Sequence, residues 1–249
     1  MNWRHGLNAV LLGASSLSGL AEADTLSLKL SVQQWQTDAT GFFGEARDAT
    51  ITPNFSEQSQ HKFQFSVEHP FPLVPNVFVA YSQNEFGGGA QLEQTYRLGG
   101  QVYSVASVLN SSLEYGKTDL ALYYELLDNS LFEFDLGMQV RYLSASYRVT
   151  ESLNDLSSSV SANDWQPMAY VKLQSGLPLV GIRSYIQLAK GDDNYEYEAA
   201  VGYQFADSII ADLSVFLGYK DSKLKLDSVD GIYAQNEWQA VFVGLELAF

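Results

Sequence analysis

The chain has 249 residues, 14 basic against 29 acidic side chains for a net charge of -15, no cysteine, and 13% aromatic residues. The lack of cysteine excludes a disulfide framework, a thiolate metal site and a lipidated cysteine anchor. So acidic a balance argues against a nucleic-acid partner, because phosphate binding depends on Lys and Arg.

Residues 1–23 carry Arg4, an apolar stretch at 9–12 and the small-residue site Ala21-Glu-Ala23. This is the pattern of a cleavable secretory signal. The expected mature protein is then one domain, residues 24–249. No later segment offers the roughly 18 uninterrupted apolar residues of a spanning helix. A membrane crossing would therefore have to use strands.

From residue 25 onward, period-two stretches follow one another. Residues 25–35 place Leu26, Leu28, Leu30 and Val32 on one face and Ser27, Lys29 and Ser31 on the other. In 60–69, Phe63, Phe65 and Val67 alternate with Lys62, Gln64, Ser66 and Glu68. Residues 76–82 and 120–126 repeat the pattern, and after a turn at 127–129 it is cleanest in 132–142, where Phe132, Phe134, Leu136, Met138, Val140 and Tyr142 share a face. Further strands are expected at 165–174, 180–190, 195–205, 209–220 and 237–249.

The alternation predicts an all-β fold, an antiparallel up-and-down transmembrane β-barrel of ten strands, with eight or twelve as the other even counts. Connections at 69–75, 128–129, 175–178 and 206–207 are brief, as on a periplasmic side. Those at 38–59, 84–112, 151–164 and 221–231 are long, as on an outer side, with 191–194 a tight exception. Within the second of these, 92–96 and 102–106 could form a hairpin above the membrane; read as two spanning strands, the segment would raise the count to twelve.

The chain closes on Val241, Val243, Leu245 and Leu247 alternating with Phe242, Gly244, Glu246 and Ala248, and then Phe249. Such a strand resembles the sorting signal of bacterial outer-membrane barrels, which implies recognition by the barrel-assembly machinery. Residues 122–129 (Leu-Tyr-Tyr-Glu-Leu-Leu-Asp-Asn), 134–138 (Phe-Asp-Leu-Gly-Met) and Leu177-Pro178 resemble an uncharacterised family of small proteobacterial outer-membrane β-barrel proteins. The resemblance implies the barrel and its location, and no catalytic or ligand residue.

Charge decides which face meets lipid. Lys62, Glu68, Glu125, Glu133, Asp135, Arg141, Lys172, Arg183, Glu196, Glu198, Asp212 and Glu246 all fall on the minority face. A Lys or Arg on the lipid face at the midplane would cost about 2–4 kcal/mol. Turned into the lumen, these groups can form an ionic network, and the Leu, Val, Phe and Tyr rows become the lipid band. Tyr142, Trp165, Tyr219 and Phe205 or Phe249 are its expected girdle aromatics.

A barrel of about ten strands is little wider than the eight-stranded kind that side chains can fill. The expected role is thus structural or passive, in a monomer whose partners are outer-membrane lipids and lipopolysaccharide. A narrow pore, made cation-preferring by Glu125, Glu133, Asp135, Glu196 and Glu198, is the alternative. Surface binding or adhesion through outer loops bearing Phe42, Phe43, Tyr96 and Tyr103 is another.

No catalytic, cofactor or metal-binding residue is expected. His5 falls in the signal, His69 beside a Pro-rich turn, and His61 shares parity with Phe63. Asp192-Asp193 and Asp227 with Asp230 read as solvated loop acids, and Glu196 with Glu198 as part of the lumen network.

Overall fold

In the computed structural model, which describes residues 26–249 apart from 38, 72, 130 and 207–210, strand follows strand with little else. The chain runs through β1 (Ser27–Thr37), the short β2 (Thr40–Ala46), β3 (Ala49–Ile51) and β4 (Asn54–Phe55), and then β5 (Gln58–Glu68) and β6 (Asn76–Gln91). A small hairpin, β7 (Tyr96–Leu98) and β8 (Gln101–Tyr103), precedes the long β9 (Val108–Asp128), β10 (Phe132–Glu151) and β11 (Leu156–Leu177). After one 3-10 turn at Pro178–Val180 come β12 (Ile182–Lys190), β13 (Tyr195–Ala206), β14 (Asp212–Val229) and β15 (Ile232–Ala248). The expected signal, residues 1–23, and the predicted strand start at 209 lie outside the described residues.

β1 pairs with β5 on one side and with β15 on the other, which closes the sheet. The wall is β1, β5, β6, β9, β10, β11, β12, β13, β14, β15 in order, ten antiparallel strands. Closure removes the unpaired edges that hydrocarbon could not solvate. Large outward side chains such as Phe63, Leu122, Met138, Val201, Leu217 and Val243 stay exposed and form an apolar band around the wall.

The structure corrects the expected long outer loops. β10 and β11 continue as a ladder to Glu151↔Leu156, and β14 and β15 to Val229↔Ile232, so most of 151–164 and 221–231 is strand. β2 carries on the line of β1 along β15, from Thr40 opposite Glu237 to Gly44 opposite Tyr233. β4 pairs with β6 at Gly88 and Gly89. The predicted hairpin of 92–96 with 102–106 is narrower, Tyr96–Leu98 against Gln101–Tyr103.

Lengths show what the extra strand does. The 21 residues of β9 run about 70 Å at about 3.4 Å per residue. Tilted by about 40°, that is about 50 Å of height against an apolar band of about 25 Å, so the upper wall stands outside the bilayer. β12, with 9 residues, and β13, with 12, stop near the top of the band, whereas β1 and β5, with 11 each, are followed on their lines by β2 and β4.

Candidate functional site

Both faces of the wall change character at one level. On β10 the outward residues are Leu136, Met138, Val140 and Tyr142, then Ser144, Ser146 and Arg148. Its inward residues are Asp135, Gln139 and Arg141, then Leu143, Ala145, Tyr147 and Val149. β9 repeats this: Asp119 and Lys117 point inward below, Tyr115, Leu113 and Leu109 above. The apolar phase shifts by one residue where the outside solvent changes from hydrocarbon to water. Below that level the barrel is apolar outside and polar inside; above it, the reverse.

At the change of level the lumen is crossed by a buried ionic layer. Glu196 of β13 pairs with Lys62 at 2.8 Å, Lys117 at 2.6 Å and Arg141 at 3.0 Å. Glu198, two residues on, pairs with Lys62 at 2.8 Å and Lys220 at 3.1 Å, and accepts from the Gln33 amide at 3.0 Å. Arg141 grips Asp119 with Nε at 2.7 Å and Nη2 at 2.9 Å, a two-pronged bond set by their direct cross-strand register. The cationic groups Lys62, Lys117, Arg141 and Lys220 outnumber the carboxylates Asp119, Glu196 and Glu198.

Aromatic rings cover the layer from above. Lys220 Nζ sits 3.8 Å from the centroid of Trp35 and Lys117 Nζ 5.1 Å from that of Trp238. Over them lies an apolar core containing Phe43, Phe86, Tyr115, Tyr147, Leu224 and Trp238. Phe43 meets Tyr147 at a tilt with centroids 4.8 Å apart, Tyr115 stacks on Trp238 at 6.1 Å, and the Tyr115 hydroxyl donates to Asn236. The β7–β8 hairpin folds across the mouth and buries Tyr96, Leu98 and Tyr103 in the same core. Tyr103 is held by Ser158 Oγ at 2.7 Å, and the Glu45 carboxylate accepts from the Gly99 amide at 2.9 Å. The expected exposure of Phe43, Tyr96 and Tyr103 is thus overturned, because the upper wall needs an apolar filling.

Below the ionic layer the lumen is a vestibule open toward the periplasm. A cavity of about 200 Å³ lies at its mouth beside Glu133, Gln174 and Arg183, and one of about 40 Å³ further in beside Lys29, Gln33 and Lys172. Lys29 pairs with Glu68 at 2.6 Å, and Arg183 with Glu246 at 2.9 Å. Asn76 donates to Glu125 at 2.8 Å. Asp135 faces Lys172 across β10–β11 and Glu125 across β9–β10.

The sequence-derived set is therefore divided by height. Lys62, Arg141, Glu196 and Glu198 meet in the ionic layer, whereas Glu125, Glu133, Asp135, Lys172, Arg183 and Glu246 line the vestibule. Asp212 stands at the foot of β14 opposite Ala248 and joins none of these ion pairs among the described residues. Val241, Val243 and Leu245 face outward, while Leu247 and Phe249 are partly covered at the lower rim. Sequence reasoning missed Asp119, Lys117 and Lys220. Their parity with Ala121 and Asp212 was the available signal.

The other candidates lie away from the lumen. His61 points outward, and His69 sits in the lower turn with Nε2 3.2 Å from Pro75 O. The outer acids hold local contacts: Asp193 with Lys225 at 2.7 Å, Asp227 with Arg47 at 2.6 Å, and Asp230 with the Asn163 amide at 3.0 Å. Lys225 and its hydrogen bond hold the Asp193 carboxyl below the usual carboxylate range, and the same bond raises the Lys225 ammonium.

No family model and no curated protein matches the chain. Among solved structures, it is similar to Ail, the attachment invasion locus protein of Yersinia pestis, at 10% identity over 90% of this chain and 99% of that one, with a TM-score of 0.39. It is also similar to the outer membrane protease OmpT from Escherichia coli, at 11% identity over 92% and 99%, with a TM-score of 0.46. Neisserial surface protein A matches at 10% identity over 88% and 97%, with a TM-score of 0.34. With TM-scores below 0.5, these likenesses carry no inference about activity or partners. A closed antiparallel barrel with an apolar outer band stands on the ladder itself, and the protein is an integral outer-membrane β-barrel.

Proposed function

We propose that this protein is a sealed, non-conducting barrel with a structural role in the outer membrane, presenting a rigid polar collar on the outer side. One observation carries the reading: the ionic layer around Glu196 and the aromatic core above it are stacked in series, so a solute would have to displace both. A narrow channel is disfavoured for that reason, and a cation preference also by the excess of cationic groups in the layer. The two described histidines lie outside the lumen, which supports a non-enzymatic reading. The lipid-facing rows suit contact with acyl chains and lipopolysaccharide, and the outward Val241, Val243 and Leu245 suit recognition by the assembly machinery.

Planar-bilayer recording tests this. The purified protein should add no discrete conductance across a range of salt and voltage. Salt-dependent unitary openings would overturn it in favour of the channel.

A second reading, surface binding, has one specific observation in its favour. Val102, Val105, Val108 and Leu153 are exposed on the collar, with Leu153 at 89%, where water and not lipid surrounds the wall. Cell or matrix adhesion that disappears with Val105→Ser and Leu153→Ser, while the barrel still folds, would establish it.

A further inference from the structure

The periplasmic end of the lumen holds charge that its own groups do not balance. Glu68, Glu125 and Glu133 each present a carboxylate oxygen, and these oxygens all lie within 4.8 Å of one another. Asp135 neighbours this cluster: it is opposite Glu125 in the β9–β10 register and two residues from Glu133 on the inward face. Asp135 is fully buried, at 0% exposure, and neither of its oxygens has a hydrogen-bond partner among the described residues; Glu133 Oε1 also lacks one. A buried polar atom left unpaired costs about 1–3 kcal/mol, and more when charged.

The ammonium groups that face this end are Lys29, bound to Glu68 at 2.6 Å, and Lys172, opposite Asp135. Four carboxylates against two ammonium groups leave the charge of one divalent cation to be supplied. Arg183 is already committed to Glu246.

We propose that the Glu68, Glu125 and Glu133 oxygens, with Asp135 behind them, form a binding site for a hard divalent cation, calcium. The donors are all oxygen, which selects against zinc and copper. Calcium takes six to eight oxygens in a flexible geometry that carboxylates from three strands can meet together with water, whereas magnesium demands a near-ideal octahedron. The ladder supplies the rigidity: β9 and β10 hold Glu125 and Asp135 in register, and the Tyr123 hydroxyl fixes Glu68 from 3.0 Å. The cavity of about 200 Å³ at the mouth, which Glu133 lines, gives a hydrated ion its path in from the periplasm. A cation here would tie β5, β9 and β10 together at the rim.

The test is terbium luminescence on the full folded barrel in detergent, since Tyr123 touches a ligand and can sensitise a bound lanthanide. Emission should saturate at one ion per protein and be displaced by calcium at lower concentration than by magnesium. Calcium should also raise the thermal midpoint over that in chelator. Glu125→Gln, Glu133→Gln and Asp135→Asn should each weaken terbium and calcium binding at least about tenfold, as loss of ligand charge does. Each variant's heat-modifiable migration confirms that it is folded, and Asp193→Asn with Asp227→Asn on the outer side should change nothing. Binding unaffected by all three vestibule variants, binding lost in the outer pair, or no calcium-dependent midpoint would overturn the site.

Discussion

Phe242 lies over Gly218, its direct partner across β14–β15, so closely that a Cβ at 218 would fall inside the ring's van der Waals surface. Phe216 lies over Gly202 in the same way across β13–β14. Both glycines are there for the rings that fill the lumen. Gly218→Val should destabilise the barrel by about 1–3 kcal/mol through overpacking. Gly116→Ala, where a Cβ meets nothing nearer than 4.0 Å, should stay within about 0.5 kcal/mol. Urea unfolding in lipid vesicles, followed by tryptophan fluorescence, measures both.

Glu196 is the hub of the ionic layer. Glu196→Gln leaves Lys62, Lys117 and Arg141 each short of a buried partner, and removing one side of a buried ion cluster costs about 3–5 kcal/mol. Arg47→Ala breaks a pair that water already surrounds and should cost less than about 1 kcal/mol. The same unfolding assay compares them; equal losses would mean that the layer is hydrated.

The phase inversion predicts where the bilayer ends. Leu122→Arg puts a charge in the apolar band and should cost about 2–4 kcal/mol if near the midplane. Ser146→Arg, outward on β10 above the inversion and opposite Glu114, should be close to neutral. The difference should vanish in urea titrations of detergent-solubilised protein with a short, hydrated micelle belt.

Tyr147 joins Phe43 and Tyr115 in the upper core, at 4.8 and 6.2 Å. Tyr147→Ala should lose about 3–5 kcal/mol, the usual range for a large buried ring. Because the ionic layer remains below it, the variant should still be silent in a planar bilayer. Discrete openings would show that the upper core alone closes the lumen.

The Asp193–Lys225 pair makes the 191–194 turn pH-sensitive. Asp193 is lowered, so its contribution is present above the ordinary carboxylate range and is lost as pH falls through the lower folded value. Lys225 is raised, so its contribution is lost only as pH rises through its folded value. Protection of the Lys225 amide against exchange, relative to the free-amide rate at each pH, should therefore fall below the carboxylate range and above the lysine range, since that amide donates to Asn194 Oδ1 at 2.5 Å. Asp193→Asn should make that protection low and flat between them.

Alternation like that along 132–142, repeated from segment to segment, was enough to read ten strands, a lipid face and inward rows holding Arg141, Glu196 and Glu198, because which side of a strand a residue takes is a local property of period two. Even the inversion at Tyr142 and Leu143 is written in the chain, as an apolar phase that moves from even to odd positions. Local periodicity could not say that residues past the inversion stay in strands, since serine-rich stretches such as 157–161 look like loop until they are paired with β10. Nor could it say that Lys62 meets Glu196, 134 residues away on the opposite wall, or that Glu133 and Asp135 remain short of partners. Those facts depend on register, tilt and closure, which bring inward rows to one height across the lumen, and only the assembled barrel sets that height.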